Sequence, residues 1–125
     1  GASILITENV FLKFPVNHQF LFRPLGKFQP KGMDNPIAVA ELMGVDDGSA
    51  PYEAIRSEIA EVTGYLNLFY QRQFNKAAEG FQSFCHRFAG DKKSKGYKLL
   101  LDQAKEFELN SPPECWNGEI RLTSK

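Results

Sequence analysis

The hydrophobic pattern over the first 43 residues predicts β-structure with one short helix. Residues 3–6, 19–29 and 36–43 are rich in β-branched and aromatic residues and are bounded by Pro, Gly, Asn or Asp, so each is predicted to be a strand. Residues 8–14 carry Val, Phe and Phe at helical spacing, which predicts a short helix between the first two strands.

The second and third predicted strands are joined by residues 30–35, which are mostly turn formers. This spacing predicts an antiparallel hairpin, with Lys31 near its tip. Pro24 and Gly26 interrupt the second strand and predict a bulge or an edge position there.

From residue 52 onward, hydrophobic residues recur every three or four positions, which predicts amphipathic helices. The first is predicted to run to about residue 71, the second to start near Asn75 as its cap, and the third to span about 93–109. The predicted buried stripes are Ile55, Ile59, Val62, Leu66 and Phe69, then Ala77, Phe81, Phe84, Cys85 and Phe88, then Tyr97, Leu100, Leu101, Ala104 and Phe107. Three such helices joined by short turns predict a small bundle.

The C-terminal tail cannot continue the third helix through Pro112 and Pro113. Residues 119–123 alternate in polarity and predict a last short strand. We expect Trp116 to hold the tail against the rest of the molecule.

The change of period predicts an α+β fold in which a small strand-helix and hairpin unit precedes a helical bundle. The segment Gly-Val-Asp-Asp-Gly-Ser-Ala-Pro has the composition of a linker. The predicted organisation is therefore a first unit over residues 1–44, a linker over 45–51, and a helical module with its tail over 52–125.

Composition and charge exclude several classes of protein. The chain has 125 residues, of which 42% are hydrophobic, with 15 basic and 15 acidic residues. This balance argues against intrinsic disorder and gives no overall field for nucleic acid or an anionic membrane. The apolar runs are far shorter than the roughly 20 residues that a membrane span needs, so no membrane segment is expected.

The cysteines and the acidic pairs offer little catalytic chemistry. Cys85 and Cys115 are too few for a disulfide framework and are not spaced as metal ligands, which indicates a reducing, cytoplasmic environment. Cys85 is predicted to be in the core and its neighbour His86 on the surface, so they do not form a nucleophilic pair.

Two acidic pairs, Asp46–Asp47 in the linker and Glu58–Glu61 on the first helix, are predicted to face solvent. Solvated carboxyl groups keep ordinary acidity, so neither pair is a candidate for general acid-base catalysis.

Three segments of the first half resemble one known domain. They read ILITENVFLKF, FLFRPLGKFQPKG and NPIAVAELMG, in that order and with matching spacing. Together they resemble the C-terminal third of a class III nucleotidyl cyclase catalytic domain. In that family a strand of the type I-L-I-S leads into a helix, followed by strands of the types F-R-x-L-x-x-x-x-x-K-G and P-V-x-V-Y-E-L-L-G. The resemblance covers residues 3–44.

The second half resembles the tetratricopeptide-like helical pair that follows such domains in bacterial cyclases. A P-P-x-x-W-x-G segment near the end of the chain extends this resemblance. Tyr65 stands where the repeat pattern usually has a small residue, and Arg72 replaces the customary turn glycine. Since a single repeat cannot bury its own faces, we favour a generic helical bundle over a peptide-binding groove.

The resemblance implies that the chain is the structural or regulatory end of an adenylate or guanylate cyclase. The family's metal-binding aspartates, purine-selecting residues and transition-state Asn and Arg precede the first strand, so no catalytic or metal residue maps onto this chain. The resemblance assigns one substrate-binding residue, Lys31, as a contact to the triphosphate of ATP or GTP. Mg²⁺ or Mn²⁺ is expected only in the intact cyclase, located in the cytoplasm or at the cytoplasmic end of a membrane-anchored receptor.

A homodimer is also expected, because strands separated from their sheet neighbours present open edges and an uncovered apolar face. The alternative hypothesis, from a different class, is a stand-alone helical module for protein–protein interaction.

Overall fold

The computed structural model describes residues 4–7, 10, 13, 19–29, 32, 35–48, 52–90 and 94–121. Over these residues the fold is α+β, as predicted. The strands are β1 (Ile4–Thr7), β2 (Phe20–Gln29), β3 (Ile37–Val45) and β4 (Glu119–Arg121). The helices are α1 (Glu53–Tyr70), α2 (Phe74–Arg87) and α3 (Ser94–Leu109). Of the predicted helix at 8–14, only Val10, which is helical, and Lys13, whose backbone N–H donates to the Val10 carbonyl oxygen at 3.1 Å, are described. Lys31, predicted at the hairpin tip, lies outside the described residues.

In the described part of the chain, the strands form one sheet in the order β1-β3-β2-β4. The strand β3 is antiparallel to both β1 and β2, so the predicted hairpin is confirmed. The register of β2 against β3 shifts between Pro24 and Gly26, where Gly26 has a φ of 103°, so the predicted bulge is also confirmed. The strand β4 is parallel to β2, beside Lys27, Phe28 and Gln29.

The three helices in the described residues enclose most of the core. The predicted stripes are largely correct, although Ile55, Ile59, Cys85, Phe88 and Phe107 are only partly buried. The buried hydrophobic residues are Val62, Leu66, Phe69, Phe74, Ala77, Ala78, Phe81, Phe84, Tyr97, Leu100, Leu101, Ala104 and Ile120. Because Ile120 of β4 and the partly buried Leu25 and Phe28 of β2 join this cluster, the sheet and the helices share it.

The helices α1 and α2 approach each other closely where Tyr65 faces Gly80. A Cβ atom on Gly80 would lie 2.3 Å from Cδ1 of Tyr65. The aromatic side chain that departs from the repeat pattern is therefore accommodated by the absence of a side chain on the neighbouring helix.

The turn between α1 and α2 places Arg72 in the left-handed region, with a φ of 66°. This conformation is usually left to glycine, which explains why the repeat pattern has glycine there. The predicted cap at Asn75 is wrong, because α2 already begins at Phe74 with Gln73 as its N-cap, and no side chain caps it. The N-cap position is therefore two residues before the predicted one, and it holds a glutamine.

The tail packs against the turn between α1 and α2, as predicted for Trp116. The Trp116 ring makes edge contacts with Phe69, Phe74 and Phe107, with centroid distances of 5.1 to 5.6 Å. Arg72 donates hydrogen bonds to the carbonyl oxygens of Pro112 and Pro113 at 3.0 and 2.5 Å. After these contacts the chain continues into β4. None of the helices in the described part of the chain combines the length and apolar character that a membrane crossing requires.

Candidate functional site

A buried arginine joins the hairpin to the helices. Arg23 lies on β2, directly opposite Glu41 on β3, and its side chain is only 1% exposed. Its Nη2 atom donates to Oε1 of Glu41 at 2.8 Å. A guanidinium this deeply buried is stable only when it is paired, since desolvation of an isolated charge costs several kcal/mol, on the order of a domain's whole stability.

The second carboxylate comes from the first helix. Nη1 of Arg23 donates to Oε1 of Glu58 at 2.5 Å, and the Glu58 side chain is 11% exposed. The prediction that Glu58 faces solvent is therefore wrong. Position 58 is one helical turn before Val62, so it belongs to the buried stripe, and the sequence pattern missed it because only apolar residues were counted as buried.

Glu61 is the more exposed member of that acidic pair. It accepts a hydrogen bond from the Tyr65 hydroxyl at 2.6 Å and forms an ion pair with Arg87 of α2. Desolvation and the Glu61 carboxylate together raise the pKa of Tyr65 to about 12. Glu61 therefore connects α1 with α2 and does not form a pair with Glu58 for acid-base catalysis.

The aromatic member of the buried site is Tyr97 on α3. The Arg23 guanidinium carbon lies 5.5 Å from its ring centroid, which is within the range of a cation–π contact. Its hydroxyl donates to the carbonyl oxygen of Pro24. Burial raises the pKa of Tyr97, so the phenol stays protonated and keeps this hydrogen bond.

We call Arg23, Glu41, Glu58 and Tyr97 the Arg23 cluster. It connects two strands and two helices through one guanidinium, and Nε of Arg23 has no hydrogen-bond partner among the described residues. With one cation and two carboxylates in close contact, the cluster can fix the position of the hairpin against the helices. Its charged groups are engaged with each other.

The start of the predicted linker is also tied to the first helix. Oδ1 of Asp46 accepts hydrogen bonds from Nη1 of Arg56 at 2.6 Å and from the backbone N–H of Gly48 at 2.9 Å. Asp46, which was predicted to face solvent, is therefore only partly exposed and is ion-paired with α1. The strand β3 also extends to Val45, two residues beyond its predicted end.

The remaining candidates from the sequence stay separate from the Arg23 cluster. Lys31, the one substrate-binding residue that the resemblance assigned, is not among the described residues. Cys85 is half-buried, and its thiol donates to the carbonyl oxygen of Ser94 at 3.6 Å, while His86 is exposed. Within the described ranges, no group of three or more His, Cys, Asp or Glu side chains is placed to hold a metal ion.

The comparisons bear on the chain as a whole. Protein-family models, curated proteins and solved structures give no match to it.

The Arg23–Glu41 pair of the cluster could have been predicted from the sequence. Arg23 and Glu41 are charged residues in two largely apolar strands that the turn formers at 30–35 predict to pair, and the other charged residue of these strands is Lys27. Two opposite charges facing each other across a hairpin are a cross-strand ion pair. The contribution of Glu58 was not accessible, because it depends on how α1 is placed against the sheet.

Proposed function

We propose that residues 1–44 are the C-terminal portion of a class III nucleotidyl cyclase catalytic domain and that the helical part is its structural and regulatory extension. The observation that carries this proposal is the pairing of Arg23 with Glu41. Arg23 belongs to the F-R-x-L motif and Glu41 to the E-L-M-G motif, and the two segments pair as adjacent antiparallel strands. The order β1, β2, β3 along the chain also agrees with the family's order of motifs.

The extension acts by bracing the hairpin. Glu58 and Tyr97 come from the helices, and both contact Arg23, which is eight positions before Lys31 in the sequence. A buried ion pair near the middle of β2 and β3 fixes this part of the hairpin against the helices. In the intact enzyme, Lys31, at the predicted tip of the hairpin, neutralises charge on the triphosphate of ATP or GTP while the ribose hydroxyl attacks.

The same proposal includes the assembly and the location of the protein. Leu5, on the edge strand β1, is 58% exposed, and an exposed apolar edge favours covering by a second copy. We therefore propose a cytoplasmic homodimer. The family's Mg²⁺ or Mn²⁺ would be held by residues upstream of this chain, and no catalytic step is assigned to the residues described here.

The first experiment asks whether the chain is catalytic alone. The purified 125-residue chain is incubated with ATP or GTP and Mg²⁺ or Mn²⁺, and we expect no cyclic nucleotide above background, because this chemistry depends on carboxylate-held metal ions. Protein-dependent cAMP or cGMP would overturn the assignment. In the coding sequence upstream of residue 1, we expect metal-binding aspartates and the Asn and Arg of the family. A start codon at that point would favour the stand-alone interaction module.

The second experiment tests Lys31 in the intact enzyme. A charge-assisted contact to the triphosphate contributes about 2 to 4 kcal/mol, so Lys31→Ala is expected to lower kcat/KM by roughly 30- to 1,000-fold. Lys31→Arg is expected to recover only part of the loss, because the guanidinium is larger and differently directed. Lys95→Ala, on the exposed side of α3, is the matched control and should leave activity unchanged. Full activity of Lys31→Ala would indicate that this chain contributes only a scaffold to the active site.

A further inference from the structure

A cavity of about 410 Å³ lies between the sheet and α1. It is lined by residues of β1, β2 and β3, and from the helix by Ile59, Thr63 and Tyr70. Its lining is largely apolar, and its volume is within the range of small-molecule sites, about 300 to 1,000 Å³. No part of it belongs to the Arg23 cluster.

Short side chains on the sheet give this cavity its depth. Ala38 and Ala40 line it, and neither has a side chain beyond Cβ. Ala40 pairs with Ile6 on one side and Pro24 on the other, so the hollow continues across the three strands. Such a cavity is suited to an extended apolar group more than to a compact polar one.

The cavity carries a positive charge at one place. Lys27 is the only charged residue among the described lining residues. Its ammonium lies 5.1 Å from the ring centroid of Tyr70 and donates to the carbonyl oxygen of Asn117 at 3.3 Å. An ammonium has three N–H donors, so this arrangement orients Lys27 and leaves donors for a ligand.

Tyr70 does not oppose a bound anion. Burial raises its pKa to about 12, so the phenol is neutral at physiological pH. The two threonines on the lining, Thr7 and Thr63, are also uncharged. The electrostatic character of the cavity is therefore set by Lys27, and it complements a single negative charge attached to an apolar body.

We propose that this cavity binds a medium-chain fatty carboxylate, with the carboxylate paired to Lys27 and the alkyl chain along the sheet. At about 30 Å³ per carbon, close to the liquid volume of a water molecule, the cavity holds at most about 13 carbons. Decanoate fits this limit. The proposal is independent of the cyclase assignment, because it depends only on the cavity and its lysine.

Binding is measured on the 125-residue chain by displacement of a dansyl-labelled fatty acid and by titration calorimetry, with octanoate, decanoate and 1-decanol. We expect one saturable site per chain, with affinity rising about fourfold for each added methylene. Decanoate is expected to bind at least about tenfold more tightly than 1-decanol, since the alcohol has the same chain without the charge. Absence of saturable decanoate binding, or equal affinity for the alcohol, would overturn the proposal.

Two variants locate the site. Lys27→Met keeps the side-chain length and removes the charge, and it should lose about tenfold or more in decanoate affinity while 1-decanol binding is unchanged. Lys105→Met, on the exposed side of α3, is the control and should bind as the parent does. Ala40→Leu, which fills the cavity, should weaken both ligands, with circular dichroism as the folding check. Unchanged decanoate binding in Lys27→Met and Ala40→Leu would refute this location. A dimer in which a second copy of the chain covers the cavity and excludes decanoate would also refute it.

Discussion

Replacing Gly80 with alanine should destabilise the protein, although the same change stabilises most helix interiors. Alanine in place of glycine normally contributes about 1 kcal/mol to helix stability. At Gly80 the added Cβ would lie 2.3 Å from Cδ1 and 2.5 Å from Cε1 of Tyr65. An ordinary carbon–carbon contact is about 3.5 to 4.0 Å, so the tyrosine ring or α2 itself must move by more than about 1 Å.

The surroundings of Tyr65 resist that movement. Its ring packs edge-on against Phe81 at 5.9 Å, and its hydroxyl donates to Glu61. Overpacking of this kind costs about 1 to 3 kcal/mol. After subtraction of the helix-propensity gain, we expect Gly80→Ala to lower the free energy of unfolding by up to about 2 kcal/mol.

Urea denaturation followed by circular dichroism measures this change, and Gly64 is the matched control. Gly64 lies in α1, and a Cβ added there would have nothing within 4 Å. Gly64→Ala should therefore increase the free energy of unfolding by about 0.5 to 1 kcal/mol. In a Tyr65→Ala background, Gly80→Ala should become stabilising as well. If Gly80→Ala alone stabilises the protein as much as Gly64→Ala does, the close approach of α1 and α2 is wrong.

Three further predictions concern charge and ionisation. Arg23→Met leaves two carboxylates without their counter-charge and should lower the free energy of unfolding by about 3 to 5 kcal/mol in urea denaturation; a loss below about 1 kcal/mol would contradict burial of the cluster. Burial raises the pKa of Tyr70 from 10.0 to about 12, so the unfolded protein ionises this phenol first and the free energy of unfolding falls as the pH rises from 10 to 12. In Tyr70→Phe this alkaline loss should shrink by about 3 kcal/mol, and an unchanged loss contradicts the assignment. Cys115 is exposed, while burial raises the pKa of the Cys85 thiol, so Ellman's reagent should modify Cys115 at least about tenfold faster, and equal rates would count against this difference.

The helical part of the fold was largely predictable because a helix repeats its buried face every three to four residues. Val62, Leu66 and Phe69 on α1 all follow this local rule, and all are buried. The hairpin was predictable for a similar reason, since the turn at 30–35 determines which strands pair. These features depend only on residues that are near each other in the sequence.

The Arg23 cluster was only partly predictable. The helical spacing places Glu58 on the buried side of α1, but it does not reveal the ion pair with Arg23, because the two residues are 35 positions apart in the sequence. The partner of the last strand was also missed, since the alternation at 119–123 predicts a strand without indicating where it pairs. Both features depend on how distant segments meet.

Arg72 shows how a local irregularity can have a distant cause. A left-handed backbone at a non-glycine residue costs about 1 kcal/mol or more. Its guanidinium offsets this cost by donating to Pro112 and Pro113 and by lying 5.7 Å from the Trp116 ring centroid. The sequence shows the departure from glycine, and only the tertiary structure shows the reason.

The parallel pairing of β4 with β2 has a consequence for the order of folding. Phe28 pairs with Ile37 across the hairpin, about nine residues away, whereas Lys27 contacts Asn117, which is 90 residues away. Closing a loop ten times longer costs about 2 kcal/mol more in chain entropy. The hairpin can therefore form early, while β4 can be added only after the helices between have brought the chain back to the sheet. A nascent chain whose residues 119–121 are still inside the ribosome lacks this strand, and β2 keeps a free edge until those residues emerge.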